Sequence, residues 1–337
     1  MQKAVTIALL ILLLGGGMRA MPSLLPINIV DIGDSRNLTS WEQYHNYAQI
    51  VAILLALNRT FPNIVDVFSI GRSFLGREIY CVRLTNENDT SAKPEVYFDG
   101  CHHAREQITS ELTLFFVVYV ATNYGLDMTV TGLLNNCDVY VVVALDVDGS
   151  FDRSRTNARG VDLNRNYDYA WAGAGGAPFS EPETLAIRDF TLARHFKYAL
   201  SFHSGIELVL YPWSCTRQPP LDALRLAEIS KGISDVTQGT QHEQSCFLYI
   251  ANGTWGDWMY GVAGVPAITC EIFGIGPFGQ PFWYGSDPKP LPSTGYDVEI
   301  NYRYNPHVEY IKPVLRRWLP AFFYVMDRAV QEAHRMP

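Results

Sequence analysis

His103 and Glu106 stand three residues apart in Gly100-Cys101-His102-His103-Ala104-Arg105-Glu106, a spacing at which an imidazole and a carboxylate can turn toward one divalent cation. Hydrolytic zinc is commonly held by two imidazoles and one carboxylate, with the fourth position left to water, so a distant third ligand would complete such a centre. His-x-x-Glu arises readily by chance in a chain with 8 His. Its place in the chain gives this one weight. Residues 95–99 read as a buried strand and 108–124 as a helix packed on it, stopped by Gly125. The motif therefore falls where a strand ends and a helix begins, the edge at which sites collect in open α/β sheets. His203, in Leu200-Ser201-Phe202-His203-Ser204, ends another strand of core character. A lone strand-end histidine is usually structural, yet this one is the missing kind of ligand in the right kind of place. Glu271, in Thr269-Cys270-Glu271, ends a third apolar run, where an unpaired carboxylate is costly and needs a partner or a task.

The elements that must carry these residues alternate. Short runs rich in β-branched or aromatic residues at 79–84, 95–99, 139–144, 198–202 and 267–272 read as strands. Helices are expected over 40–57, capped by Thr39 and Ser40 with Glu42 and Gln43, and over 108–124, 180–196, 222–236 and 314–333. Such alternation implies a central sheet covered on both faces. No internal repeat or linker offers a cut point in the 337 residues, so they read as one domain. At 48% apolar and 18% charged the chain can build a sizeable core, and a formal charge of -8 argues against nucleic acid and anionic membranes as partners.

Lys3 followed by an apolar run over 4–14 and small residues near Ala20 reads as a secretory signal over 1–20, too short to span a membrane, with an uncleaved anchor as the alternative. Residues 21–39 form an N-terminal extension and 40–337 the functional domain. Four glycosylation-type triplets begin at Asn37, Asn58, Asn88 and Asn252. Cys81, Cys101, Cys137, Cys215, Cys246 and Cys270 permit disulfides in an exported chain, Cys215 with Cys246 being the favoured pair, although buried free thiols are an equal reading.

Taken together, these motifs and their order resemble a zinc metallocarboxypeptidase of the carboxypeptidase A type from about Ser40 to the end of the chain. The resemblance implies a single α/β domain with a mixed, mostly eight-stranded central sheet and helices on both faces. It implies one zinc ion held by His103, Glu106 and His203, with Asp162 behind the first imidazole. His102 is set aside because its offset from Glu106 is four. Within residues 155–166, which unaided could be a solvated loop, the resemblance gives Asn164 and Arg165 the grip on a substrate's terminal carboxylate, a task suited to the planar guanidinium fork. Arg155 takes the role of polarising the scissile carbonyl and stabilising the oxyanion. Arg105 and Ser204 join the substrate contacts. Tyr249 matches a mobile tyrosine lid, and Glu271 the general base that takes a proton from the attacking water and returns it to the leaving amine.

Relatives that cut after Lys or Arg carry an Asp at one of two pocket positions, which here are Ser214 and Gly256. Leu210, Gln244, Ala251, Trp255 and Thr269 complete the expected lining. A roomy, neutral pocket for aromatic or large aliphatic C-terminal residues follows; Gln244 and Trp255, in place of small or aliphatic occupants, leave a polar preference open, and Glu207 is the nearest acid that could admit basic substrates. The expected activity is that of a secreted, monomeric exopeptidase acting on peptide or protein C-termini, without an inhibitory pro-domain. Removal of an acyl group or a side-chain-linked glutamate, and a catalytically dead binding module, are the competing readings.

Overall fold

The computed structural model describes residues 41–149, 154–274 and 304–335. The signal segment 1–20, the extension 21–39, the capping pair Thr39 and Ser40 and the Asn37 triplet lie outside the described residues.

Asn46 and Gln49 form a reciprocal capping box that starts α1 (Tyr47–Thr60), whose inward stripe is Ile50, Ile53, Leu54 and Leu57. The helix thus begins later than expected, because the box that closes is the Asn46 one. Next come β1 (Val65–Arg72), β2 (Glu78–Leu84), β3 (Glu95–Gly100), α2 (Gln107–Asn123), α3 (Met128–Asn136), β4 (Asp138–Val142), α4 (Pro182–Leu192), β5 (Phe196–His203), β6 (Ile206–Tyr211), α5 (Ala223–Val236), β7 (His242–Gln244), α6 (Ser245–Leu248), α7 (Trp255–Gly261), β8 (Ala267–Phe273) and α8 (Val308–Arg335). Residue 196 does not close a helix as the sequence suggested: α4 stops at Leu192, and Phe196 opens β5 with its ring in the core. Strands β1, β6 and β7 and helices α3, α6 and α7 were not anticipated.

Among the described residues the sheet has 8 strands in the order β1-β2-β4-β3-β5-β8-β6-β7. The four central strands β4, β3, β5 and β8 run parallel, while β1, β2 and β6 introduce antiparallel pairs. Period-2 alternation sends Val96 and Phe98 of β3 into one core and Tyr97 into the other. The first core collects α1, α2, α3, α5 and α8, and the second collects α4, α7 and the ring of Tyr167. Phe322 of α8 seals the first by stacking on Phe116 of α2 at 4.2 Å, with Phe98 and Phe202 of the sheet at 4.9 and 4.7 Å.

From β3 the chain crosses to β4 through α2 and α3 on one face, then returns past β3 to β5 through α4 on the other. The crossovers diverge between β3 and β5, and such a switch point leaves a crevice outside the carboxyl ends of the strands. His103 follows the end of β3, His203 is the last residue of β5, and Glu271 on β8 lies in register with His203.

All six cysteines are free thiols, so the expected Cys215–Cys246 bridge is not formed. The Cys215 segment is instead held through its backbone: the buried carboxylate of Asp257 accepts from the Ser214 and Cys215 N–H groups. Among the described residues no single helix is long and apolar enough to cross a membrane.

The entry to α1 is held to α2 by His45, whose Nδ1 lies 2.8 Å from the buried Glu111 carboxylate. Burial lowers the affinity of His45 for its proton, but Glu111 outweighs it and raises the pKa above 6.5. A group with a raised folded-state value stabilises fully below its unfolded value and loses that contribution as pH rises through the folded one. His45→Leu should therefore cost roughly 1.5–3 kcal/mol in urea unfolding at pH 6, the range for hydrogen bonds to charged groups. The gap between wild type and variant should narrow by pH 9; a constant gap would show that the pair is not ionic.

Candidate metal centre and substrate cleft

Glu106 occupies the N-cap position of α2 yet makes no capping hydrogen bond from its side chain. Its carboxylate turns to the imidazoles instead, with Oε1 2.8 Å from His103 Nδ1 and Oε2 3.0 Å from His203 Nδ1. The positive end of the α2 dipole favours this negative charge, and the Ser204 N–H donates to Oε2 at 3.2 Å. The turn that brings His103 round starts at Cys101, a non-glycine residue at φ 57, held there by its N–H bond to Thr109 Oγ1 at 2.8 Å. Left-handed backbone is costly for such a residue and persists only where its surroundings dictate it. Gly100 lets the strand end approach the helix, since a Cβ there would meet the Thr109 carbonyl oxygen at 2.7 Å.

One ligand atom from each of His103, Glu106 and His203 falls within 4.8 Å of the others, and all three residues are buried. Two imidazoles and one carboxylate converging in this way fit the donor preference of zinc. Behind His103, Asp162 accepts from Nε2 at 3.1 Å, from the Asn164 N–H at 3.0 Å and, through its other oxygen, from Arg155 Nε at 2.8 Å. Such a carboxylate fixes the ring tautomer and raises ligand basicity. Burial opposes ionisation of Glu106, but the adjoining imidazoles of His103 and His203 hold it well below the usual carboxylate range. His103, also opposed by burial, is raised to about 9 by Glu106 and Asp162, whereas burial pushes His203 down to about 4. A cation entering the triad must displace the proton on the first imidazole, so metal binding here releases a proton.

Beside the triad lies a cleft, enclosing about 390 Å³ with its opening to solvent included, lined by Asn164, Arg165, Leu210, Ser214, Ser245, Leu248, Tyr249, Ala251, Thr254, Thr269 and Glu271. Thr269 and Glu271 face it because alternate residues of β8, Ile268, Cys270 and Ile272, point into the core. Burial and the Glu106 charge push Glu271 above the usual carboxylate range, against the pull of His103, Arg155 and Arg105. Arg165 donates from Nη2 to the Tyr249 hydroxyl at 3.3 Å, with its guanidinium carbon 5.7 Å from that ring centroid. Asn164 is fixed through Oδ1, which accepts from the Trp255 N–H at 2.8 Å. Gly253, at φ +65, packs on the Arg165 peptide, where a Cβ would meet the carbonyl oxygen at 2.4 Å.

Several expected residues stand elsewhere. Gln244 turns away from the cavity and donates from Nε2 to the Trp213, Thr216 and Gln218 carbonyls. The Trp255 ring packs in the second core against Tyr97 and His102. Gly256 sits behind Thr269, with room for a Cβ at 3.6 Å from its hydroxyl. The Ser204 side chain is buried, and its observed contact is the backbone brace to Glu106. Arg105 lies 3.9 Å over the Tyr304 ring, and its carbonyl accepts from Asn305 Nδ2 at 2.7 Å. Glu207 is tied to Arg317 at 2.7 Å. Sequence reasoning missed Ser245, Leu248 and Thr254 as cavity walls, and Asp257 as the acid that ties down the Ser214 segment. Only the place of Asp257 within the 255–258 run hinted at the last.

The zinc carboxypeptidase family profile matches residues 50–315. The chain belongs to the zinc carboxypeptidase family. It is 31% identical over 277 residues to mouse carboxypeptidase A6, covering 71% of this chain and 62% of that protein. It is 30% identical over 275 residues to carboxypeptidase B of Astacus astacus, covering 71% of this chain and 89% of that one. A zinc carboxypeptidase of Saccharothrix mutabilis subsp. capreolus is 30% identical over 269 residues, covering 68% of this chain and 62% of that protein. The chain thus spans less than two thirds of two of these relatives. Both A and B types occur among them, so the match is to a metallocarboxypeptidase of the A/B type. In fold it matches thrombin activatable fibrinolysis inhibitor, with TM-score 0.72 and 24% identity over 90% of this chain and 80% of the other. Carboxypeptidase A from Helicoverpa armigera gives TM-score 0.71 at 24% identity over 88% and 76%.

Glu271 neighbours the triad without belonging to it. Glu271→Gln should therefore keep bound zinc in a metal analysis while His203→Ala loses it. A Glu271→Gln protein emptied of zinc would place that carboxylate among the ligands.

Proposed function

We propose that this carboxypeptidase-family chain is a zinc-dependent exopeptidase that hydrolyses the last peptide bond of peptides and proteins, using one zinc ion. The observation that carries the reading is that Arg165 and Glu271 line one cavity beside the metal triad. A terminal carboxylate entering that cavity meets the Arg165 fork and the Asn164 amide, and paired charge-assisted bonds fix its distance from Glu271. The cation, when bound, acts as a Lewis acid and lets water ionise near neutrality. Glu271 takes the proton of the attacking water and delivers it to the departing amine. Arg155, oriented by Asp162, offers a fixed positive charge to the developing oxyanion. Tyr249, about half exposed, closes over the substrate by leaving Arg165. Lys3 and the apolar run after it support export of the chain.

We further propose that the C-terminal side chain is neutral and large. Among the described residues the cavity walls are the apolar Leu210, Leu248 and Ala251 and the hydroxyls of Ser214, Ser245, Thr254 and Thr269, with Glu271 the one acid among them. Glu207 is occupied by Arg317, and the Asp257 carboxylate by two backbone N–H groups. Neither is placed to greet a basic side chain.

Two measurements test these readings. Amidating the C-terminus of a peptide substrate should lower kcat/KM by roughly 10²-fold or more, since the paired charge-assisted bonds to Arg165 are lost; equal rates on acid and amide would refute the exopeptidase reading. Peptides ending in Phe should be cut at least about tenfold faster than those ending in Arg, because burying a cation without a partner is costly. A preference for Arg would overturn the neutral pocket.

A further inference from the structure

The two imidazoles of the triad are supported differently. His103 has Asp162 behind Nε2, whereas His203 Nε2 is buried and makes no hydrogen bond. Glu106 holds His203 at Nδ1 alone, and one contact leaves a ring free to swing about that point. Yet a ligand must be held in its productive orientation for the metal site to be preorganised. Two rings flank His203: His103 meets it edge-on at 4.9 Å, and His102 stacks on it at 5.4 Å and 29°.

His102 is fixed on both sides. Its Nδ1 lies 3.0 Å from Asp99 Oδ1 and 3.2 Å from Ser201 Oγ, and its Nε2 lies 3.0 Å from the Tyr167 hydroxyl. Ser201 itself donates to Asp99 Oδ1 at 2.6 Å. One tautomer satisfies the set: Nδ1–H donates to Asp99, and the Tyr167 O–H donates to Nε2. Burial holds the Tyr167 phenol well above its ordinary pKa, which keeps its proton available for that bond. Tyr167 in turn is wedged against Phe179 and Trp258 in the second core, with ring centroids at 5.6 and 5.7 Å.

The sheet explains why this cluster sits where it does. Asp99 of β3 is in register with Ser201 of β5, and Ser201 and His203 share a face two residues apart. A ring bonded to Ser201 therefore lies alongside His203. We propose that His102 is a positioning residue for the metal ligand His203, with Asp99, Ser201 and Tyr167 locking the His102 plane so that it serves as the platform on which the ligand ring rests. The proposal rests on reading His103, Glu106 and His203 as the zinc ligands.

The test uses the full chain and zinc alone. Zinc affinity is measured by chelator competition for wild type, His102→Leu and Tyr167→Phe, and each protein is loaded with cobalt to record its visible absorption spectrum. His102→Leu should lose on the order of 10- to 100-fold in affinity, the usual effect of removing a group behind a ligand, and Tyr167→Phe a smaller fraction in the same direction. Both should shift the cobalt bands, which report ligand geometry and do not move when a protein is merely less stable. Should His102→Leu fail to fold, Tyr167→Phe is read alone. Wild-type affinity together with an unshifted spectrum in a folded variant overturns the proposal, as does weaker binding with unchanged bands. A wild-type chain that takes up no zinc removes the metal reading itself, and that result is distinct from equal binding by wild type and variants.

Discussion

A carboxylate with almost no exposure to water governs the arrangement of this molecule. Removing the Glu106 charge from solvent costs several kcal/mol unless partners replace the lost hydration, and those partners come from three separate places. His103 comes from the loop after β3, while His203 and the Ser204 N–H come from the end of β5. The α2 helix contributes the positive end of its dipole. For all of these to meet, β3 and β5 must be neighbours, their ends must be level, and α2 must start within a few residues of the strand. The parallel register between Gly100 and Phe202 meets the second requirement.

Around that fixed charge the two faces of the sheet have different duties. The first core is a broad aromatic and aliphatic layer that anchors α2 from below, so the helix head cannot drift. The second reaches the centre through Tyr167, Trp255 and Trp258. Cavity walls come mostly from loops and from the short helix α6, attached through backbone bonds such as Ala251 N–H to the Ser214 carbonyl at 3.0 Å. Loops can vary while the strands that carry the ligands stay put.

The sequence disclosed the centre unevenly. His103 and Glu106 were legible because their relation is local, three residues apart across one turn. His203 and Glu271 could be found as polar residues ending apolar strands, but only resemblance joined them to the first pair. Central strands announced themselves through continuous apolar runs. The edge strands β1 and β7 and the antiparallel β6 did not, since they are short or half-buried and lack that signature. Gln244 and Trp255 were expected in the cavity because position along a chain says nothing about which way a side chain turns; three backbone carbonyls captured the first and an aromatic core the second. His102 was set aside on its offset alone. Its surroundings arise from a strand pairing across a hundred residues of chain, which no local pattern records.

The same separation has a thermodynamic consequence. His203 lies 97 residues beyond Glu106, so an unfolded chain holds at most the nearby pair and grips a cation feebly. Any zinc retained at the junction of β3 and β5 is thus a tether across the middle of the sheet, and it favours the native form by mass action in proportion to the logarithm of its free concentration. In zinc-poor surroundings the polypeptide forfeits that tether and opens more often, which turns the supply of a trace metal into a control on how long the molecule lasts among proteases.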